Sequence, residues 1–422
     1  MAKYAIDLTP LKKYPDFRNL WTAGLISYFG SMITYVALPF QLKELTGSYL
    51  AVGLLGVVEI VPLIIFGLYG GVLADSVDRK KMVWATEAGA LILVLVLLGN
   101  SLLGSPTTLA IYLVAALFAV VDGLQRPSMD AMLPRLVSHE DLPAASALLS
   151  LRWQLGVIVG PTIGGIIFST MSVSAGYVVD IATYLLSLFF LARVGSIARS
   201  KEAEKPSLAA LLDGVKYAFR RQDLLGTYII DLAAMTLAMP MALYPFWADE
   251  LNAPWALGMF YAAITVGSVI VTLTSGWTRT YRFHGRAVIL AAMGWGLAIA
   301  AAGLSNSLIL VLLFLTIAGA SDMVSALFRG NIWNQTIPDT LRGRLAGIEL
   351  LSYSVGPLAG QLRAASMAAA TTLSISVTSG GLMCVVVVAL LAIFLPKMWK
   401  YDVQTNEFAV REREIRKNRE IS

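Results

Sequence analysis

The chain has 422 residues, of which 57% are hydrophobic and only 14% are charged, and its formal net charge is +5. Because an ordinary soluble domain is about a quarter charged, this composition excludes a typical soluble protein and indicates a chain embedded in a bilayer. The sole cysteine, Cys384, excludes a disulfide framework and a metal site built from paired thiols.

Apolar segments of about 20 residues recur along the chain, which is the length an α-helix needs to cross a hydrocarbon core about 30 Å thick. They lack the short alternating pattern of barrel strands, so the predicted fold class is an all-α membrane protein with twelve transmembrane helices. With Gly, Pro and charge clusters as boundaries, the predicted helices are 17–42, 50–74, 82–102, 107–131, 142–169, 173–195, 224–247, 255–278, 286–304, 308–330, 345–368 and 374–396.

The first apolar segment follows Lys12, Lys13 and Arg18 but has no small-residue cleavage site. A secretory signal peptide would carry such a site, so we expect this segment to be a retained helix.

The segment 71–81, between predicted helices 2 and 3, reads Gly-Val-Leu-Ala-Asp-Ser-Val-Asp-Arg-Lys-Lys. Its small residues allow close helix packing, and Asp75 can accept charge-assisted hydrogen bonds at a helix end. The segment resembles the signature of the major facilitator superfamily. The resemblance implies that Gly71, Asp75 and Arg79 form a gate latch and not a substrate site.

The segment 126–134, Arg-Pro-Ser-Met-Asp-Ala-Met-Leu-Pro, and the segment 17–21, Phe-Arg-Asn-Leu-Trp, resemble the bacterial subgroup of siderophore and macrolide exporters. In the superfamily the Arg of helix 4 usually lies well before the Pro, whereas here Arg126 directly precedes Pro127. The resemblance therefore leaves a proton-coupling role for Arg126 open.

Predicted helix 5 contains the segment 156–165, Gly-Val-Ile-Val-Gly-Pro-Thr-Ile-Gly-Gly. Glycines four residues apart form a smooth groove for another helix, and a proline bends the span. Ordinary tight packing would account for these residues. The segment also resembles the antiporter motif of the superfamily, which implies export and a gating role for Gly156, Gly160, Pro161, Gly164 and Gly165.

Basic residues lie in alternate connections, and the opposite connections contain only Lys43. Because cytoplasmic loops retain Lys and Arg, we expect an inner-membrane protein with both termini in the cytoplasm.

The predicted domains are a six-helix half (1–195), a cytoplasmic linker (196–223), a second six-helix half (224–396) and a charged tail (397–422). We expect the segment from about Gln404 to Ser422, which is dominated by Arg and Glu, to be a solvated helix or disordered, with a regulatory or lipid-surface role as the alternative.

The second half repeats the first at an offset near 200 residues. The aligned landmarks are Asp122 with Asp322, Arg126 with Arg329, Pro134 with Pro338, and Gly160-Pro161 with Gly356-Pro357. Tandem six-helix halves are a transporter plan in which the substrate site lies at the midplane between the halves and rocking gives alternating access.

The latch segment has a diverged counterpart in the second half, at 276–286. Thr280 stands where the acid is expected, and extra residues precede Arg286. We therefore do not expect this segment to act as a latch.

Ionisable residues inside spans are costly and mark functional sites by default. Asp122, Arg126 and Asp130 are spaced four apart on one face of predicted helix 4, and Asp322 and Arg329 share a face of predicted helix 10. In the superfamily, helices 1, 4, 7 and 10 line the cavity, so these residues and Asp231 are the first candidates for a substrate or proton pathway. The alternative is that they brace the helices as ion pairs.

Three further charges, Glu59, Arg152 and Glu349, are second candidates for the same pathway. Aromatic residues in spans can stack on a ring-containing substrate, although packing or interfacial anchoring also explains them. These aromatic residues are Tyr28, Tyr35, Trp153, Tyr184, Trp247 and Trp255.

No Gly-rich phosphate loop ending in Lys-Ser or Lys-Thr is found, which argues against direct coupling to ATP. With only His139 and His284, both in loops, we expect no metal site, no catalytic triad and no enzyme.

The predicted function is proton-driven efflux of a small amphipathic compound, such as a drug or siderophore, without a cofactor. Nutrient uptake by symport, lipid movement between leaflets and a non-transporting sensor are the alternatives. The expected partners are the lipid bilayer and a small-molecule substrate, with no nucleic acid, and the protein is expected to be a monomer.

Overall fold

The computed structural model describes residues 7–76, 78–195 and 216–421, and within these ranges the regular structure is entirely helical. We number the twelve long helices α1 to α12. They are α1 Pro15–Thr46, α2 Tyr49–Ser76, α3 Arg79–Ser101, α4 Thr108–Leu136, α5 Leu142–Thr170, α6 Val173–Ala192, α7 Gln222–Ala238, α8 Leu257–Leu273, α9 His284–Gly303, α10 Leu308–Thr336, α11 Asp339–Ala370 and α12 Leu373–Phe394.

Among the described residues, eleven helices are long and apolar enough to cross a membrane. The remaining long helix, α11, covers the predicted span 345–368 but is more polar, because it contains Arg342, Arg344, Glu349 and Arg363. It packs against α7 and α12. The chain is a multi-pass α-helical membrane protein.

The outward faces of the helices are apolar. Ile92, Leu109, Ile309 and Phe394 are each more than half exposed. Contiguous apolar surface of this kind is rare on a soluble protein and is stable only when another apolar phase covers it. The hydrocarbon core of a bilayer supplies that phase.

Predicted helix 7 is interrupted. The helix α7 ends at Ala238, and after Pro240 the chain continues through a 3-10 turn at Met241–Leu243 into the short helix Tyr244–Glu250. Proline has no N–H to donate, and its ring clashes with the preceding turn, so the continuous helix predicted over 224–247 breaks here.

The chain divides into two compact units. The first contains the described residues before 207 together with Ala248–Ala262, and the second contains the described residues of 207–247 and those from Ala263 onward. In the first unit α1 packs on α5 and α6, and α3 packs on α4 and α6. In the second unit α7 packs on α11 and α12, and α9 packs on α10 and α12, so the two units repeat one packing pattern.

The same repeat is visible where α2 meets α4 and where α8 meets α10. A Cβ on Gly123 would lie 2.7 Å from the Gly67 backbone nitrogen, and a Cβ on Gly319 would lie 2.7 Å from the Cα of Ile264. Only glycine permits such close backbone approach, so each helix pair depends on its glycine.

A short segment before α1 fixes the start of the first unit. The Lys13 ammonium donates to the Asp141 carboxylate at 2.8 Å, and the Tyr14 hydroxyl donates to the same carboxylate at 2.7 Å. The Lys13 hydrogen bond, followed by that of Tyr14, holds the pKa of Asp141 below its usual value. These contacts join the chain before α1 to the connection between α4 and α5.

Candidate transport pathway

Three of the predicted pathway residues of the first unit meet around one tyrosine. Tyr28 of α1 interacts electrostatically with Asp122 and Arg126 of α4 and with Arg152 of α5. Asp122 and Arg126 also interact with each other, and both side chains are exposed. A charged side chain that is exposed within a span is expected to face an aqueous cavity.

A second carboxyl group joins this cluster from α2. Glu59 lies within electrostatic reach of Asp122 and of Tyr35. The cluster thus combines two carboxyl groups, two guanidinium groups and two phenols from four helices of one unit. Carboxyl groups that share a site with a cation can exchange a proton when the cation moves, which is the chemistry that a proton pathway requires.

In the second unit, one arginine connects the remaining candidates. Arg329 of α10 forms a salt bridge with Asp231 of α7. Its Nη2 also lies 3.9 Å from the Asp322 carboxylate, seven residues earlier on α10. Arg329 and Asp231 are buried, whereas the Asp322 side chain is 33% exposed. A guanidinium is suited to such bridging because its planar fork presents donors in two directions.

A pair of stacked rings lies one helical turn from this bridge. Trp333, four residues after Arg329, stacks on Tyr228 with 5.4 Å between ring centroids, and its indole N–H donates to the Thr227 hydroxyl at 2.8 Å. Residues three or four apart lie on the same face of a helix, so the rings and the charges share one face of α7 and one face of α10. The sequence interpretation did not single out either ring.

The aromatic residues predicted from the sequence divide into two groups. Tyr28 and Tyr35 belong to the cluster of the first unit, and Tyr184 interacts electrostatically with Asp122. Trp153 and Trp255 are about half exposed, and Trp247 is buried.

The glycine segment of α5 packs closely against α1. The Tyr28 ring lies on Gly156, and a Cβ on Gly160 would lie 2.8 Å from the Phe29 carbonyl oxygen. A Cβ on Gly164 would be 3.4 Å from the Cα of Ile33. Three glycines at intervals of four therefore form one continuous groove for α1.

The next glycine of this segment faces a different partner. A Cβ on Gly165 would lie 2.6 Å from the backbone nitrogen of Gly258, at the start of α8, and Gly258 in turn contacts the Pro161 carbonyl group. Residues Ala248–Ala262 belong to the first unit, so this glycine contact lies within that unit.

Several predicted residues lie outside the described side chains, namely Gly71, Asp75, Asp130 and Glu349. Arg79 is the first residue of α3, and the Asp78 carboxylate before it accepts a hydrogen bond from the Lys81 backbone N–H at 3.2 Å. The Lys80 ammonium donates to the carbonyl of Val194, just after α6. The basic end of this segment thus ties the start of α3 to the end of α6.

Two buried carboxylates that the sequence interpretation missed lie in the first unit. Glu87 of α3 accepts hydrogen bonds from Ser27 at 3.1 Å, Gln125 at 2.8 Å and Ser187 at 3.0 Å. Asp180 of α6 is fully buried and accepts from Thr34 and Thr183. Each stands alone in an apolar run, so the rule that selected Glu59 would have selected both.

Buried cations were missed in the second unit. Arg221, just before α7, donates to Asp223 at 2.6 Å and to the Thr336 carbonyl oxygen at 2.9 Å. Arg363 of α11 donates to the Ser376 carbonyl oxygen at 2.9 Å and lies against Gly380 of α12. Arg221 was assigned to the linker from its basic surroundings, although Asp223 two residues later was a sign of a local ion pair.

A family model described as transmembrane secretion effector matches residues 5–419. The enterobactin exporter EntS of Shigella boydii serotype 18 is 28% identical over 400 residues, which cover 94% of this chain and 96% of that protein. EntS of Escherichia coli O81 has the same identity and coverage.

Among solved structures, that of the nucleoside transporter NupG matches with a TM-score of 0.69 at 13% identity, covering 92% of this chain and 100% of that chain. A bacterial homologue of the iron transporter ferroportin in an inward-facing state matches with a TM-score of 0.68 at 15% identity, covering 91% and 98%. These matches establish the fold as that of major facilitator transporters. The relatives are transporters and not enzymes.

Proposed function

The chain belongs to the transmembrane secretion effector family of major facilitator transporters, and we propose that it exports a small amphipathic compound by proton-driven alternating access. We further propose that it lies in the cytoplasmic membrane as a monomer with both termini in the cytoplasm. An ion gradient, rather than a bound cofactor, supplies the energy. The substrate class is a drug or a siderophore.

The relatives support export as the direction. Proteins named as enterobactin exporters match almost the full length of this chain. The continuous packing of the α5 glycines on α1 adds support, because this is the segment that resembles the antiporter motif. In the proposal the groove lets α1 slide or tilt against α5 without side chains that interlock.

The observation that carries the mechanism is the bridge from Asp231 through Arg329 to Asp322. In the proposal the substrate donates a hydrogen bond to one of the two ionised carboxylates, which Arg329 holds in place. Protonation of that carboxylate removes the charge that binds the substrate, and release of the proton restores it. Proton and substrate therefore compete for the same carboxylate, as an exchange mechanism requires.

The stacked pair of Tyr228 and Trp333 supports a ring-containing substrate. A planar ring on this pair would place its polar substituents one helical turn away, next to Arg329. Aromatic stacking and a hydrogen bond to a carboxylate of the bridge together select a compound that is apolar in one part and polar in another.

The test is the accumulation of a fluorescent catecholate and of a macrolide in cells that lack the protein, with and without its expression. Export predicts lower accumulation on expression and reversal by a protonophore. The variants Asp231→Asn and Asp322→Asn are expected to lose the effect. Asp249→Asn, which neutralises an acid paired with Lys43 elsewhere, is the matched control and is expected to retain it.

The same assay separates the other functions that this scaffold permits. Increased accumulation on expression would contradict export and indicate uptake. Unchanged accumulation of both probes, together with movement of a labelled lipid between leaflets, would contradict a small-molecule substrate and indicate a lipid transporter.

A further inference from the structure

The C-terminal segment after α12 is packed onto the second unit over much of its length. Met398 and Tyr401 are at most 2% exposed, and Asp402 and Ala409 are also buried. Within the part expected to be a solvated helix or disordered, from about residue 404, the structure has the helix Glu407–Ile421, but Ala409 and Glu412 on this helix are buried. We call residues 396–412 the C-terminal strap.

The strap contacts the connection before α9. The Asp402 carboxylate pairs with the Arg282 guanidinium at 3.2 Å, and the Val403 N–H donates to the Arg282 carbonyl oxygen at 3.1 Å. One turn further, the Arg286 guanidinium donates to the Trp399 carbonyl oxygen at 3.4 Å. Side chain and backbone therefore both join the strap to this connection.

Aromatic packing continues the contact into α10. The His284 ring lies between two aromatic rings, with centroid distances of 6.0 Å to Tyr401 of the strap and 5.1 Å to Phe328 of α10. A Cβ on Gly285 would lie 2.9 Å from the Met398 carbonyl carbon, so the strap backbone lies directly on the start of α9.

The strap also reaches the start of α7. The Phe408 ring lies 3.7 Å from the Arg221 guanidinium carbon, and the Asn406 amide donates to Asp223 at 3.4 Å. Arg221 in turn donates to the Thr336 carbonyl oxygen at the end of α10. The strap thus joins the start of α7, the start of α9 and the end of α10, which lie at one end of the second unit.

We propose that the strap is the gate latch of the second unit and that Asp402 supplies the acid which the connection between α8 and α9 lacks. That connection has Thr280 where the corresponding segment of the first half has Asp75. Like the first-half segment, the connection contains basic residues. The carboxylate that pairs with Arg282 is that of Asp402, more than a hundred residues later in the chain. Asp402 acts as a positioning residue, because it holds the α9 connection in place and does not contact a substrate.

Asp402 has a second, local role that the test must separate from the first. Its side chain accepts a hydrogen bond from the Gln404 N–H at 3.0 Å and so shapes the turn before the helix Glu407–Ile421. Asparagine keeps this acceptor and removes only the charge, so Asp402→Asn isolates the ion pair.

The first readout is the maleimide labelling rate of Ala409→Cys in a Cys384→Ala background, measured on the full chain in nanodiscs. Because the Arg282 side chain is half exposed, loss of the pair is expected to raise the rate about two- to fivefold. Asp402→Asn and Arg282→Gln should each give this increase, and the double variant no more than either alone. Trypsin cleavage at Arg411 and Arg413 measures the same release without a cysteine in the interface.

The second readout is the distance between spin labels at Phe219→Cys and Thr280→Cys, two exposed positions near α7 and α9. We expect a broader distribution in Asp402→Asn and no change in the control Asp249→Asn. Unchanged labelling and cleavage in Asp402→Asn, or release of the strap with an unchanged distance distribution, would overturn the proposal. Neither readout depends on export, so failure of the proposed function would be recognised separately by the accumulation assay.

Discussion

Arg329 is a buried cation held between carboxylates on two helices, Asp231 on α7 and Asp322 on α10. Its spacing from Asp322 was predictable, because residues seven apart share a helix face. Its pairing with Asp231 was not, since that contact joins residues about a hundred positions apart. Sequence spacing identifies charges on one helix, whereas contacts between helices depend on the packing of the whole unit.

The bridge makes a prediction for Arg329→Lys. A lysine keeps the charge but not the planar fork, so it cannot serve both carboxylates in the same way. Loss of one charge-assisted hydrogen bond costs about 1.5–3 kcal/mol, and we expect the export rate to fall by roughly tenfold or more. The initial rate of efflux from preloaded cells measures this, and a rate equal to that of the unchanged protein would contradict the bridging role.

Glu87 gives a stability prediction at the same scale. Its carboxylate accepts hydrogen bonds from three helices, so Glu87→Ala leaves the donors of Ser27, Gln125 and Ser187 without this acceptor. Buried donors left unsatisfied cost about 1–3 kcal/mol. We expect a lower thermal midpoint in detergent, a smaller loss for Glu87→Gln, and no loss for Glu44→Gln, whose side chain is 53% exposed. Equal midpoints for all three variants would show that the carboxylate does not stabilise the unit.

At the scale of elements, the length of the apolar segments predicted the helices, and the spacing of the glycines predicted their close packing. The α5 glycines at 156, 160 and 164 form the groove on α1 that their spacing indicates. The break after α7 was missed, although Pro240 is an identifiable helix breaker, because the apolar run continues through it. The hydropathy of a segment indicates whether it is surrounded by water or by an apolar phase, but it does not indicate where the backbone of the helix breaks.

The groove predicts the effect of Gly160→Val. The added side chain would meet the Phe29 carbonyl oxygen and Met32 of α1, so α1 and α5 must separate. We expect both lower export and a lower thermal midpoint, since overpacking typically costs about 1–3 kcal/mol. Gly99→Ala is the control, because a Cβ there meets no atom within 4 Å. Equal behaviour of the two variants would argue against the groove.

The segment before α1 gives a prediction about pH. The pKa of Asp141 is lowered by Lys13 and Tyr14, so its stabilising contribution is present above the unfolded carboxyl pKa of about 3.9 and is lost as the pH falls through the lower folded value. Trypsin cleavage after Lys13 should therefore be equally slow from pH 8 to pH 6. Faster cleavage is expected in Asp141→Asn at both values, and an unchanged rate in that variant would contradict the anchoring role.

At the scale of the whole molecule, composition alone indicated a membrane protein, and the two units repeat one packing pattern. The strap could not be predicted from the sequence, because its charged residues are typical of a solvated helix. Its buried positions, Met398, Tyr401 and Ala409, are few and irregularly spaced. Docking of such a segment depends on a surface that exists only after the rest of the unit has folded.

The distribution of Lys and Arg predicts that both termini face the cytoplasm. A phosphatase fused after Ser422, which is active only outside the cytoplasm, should be inactive. The same enzyme fused after Gly104, in a connection without basic residues, should be active. The reverse pattern would invert the proposed orientation.

The most direct test of proton-driven export uses the purified protein in liposomes that contain a pH-sensitive dye. A catecholate gradient applied across the membrane should drive protons in the opposite direction, and Asp231→Asn should abolish this flux. Proton movement in the same direction as the substrate, or substrate movement without protons, would contradict the exchange mechanism.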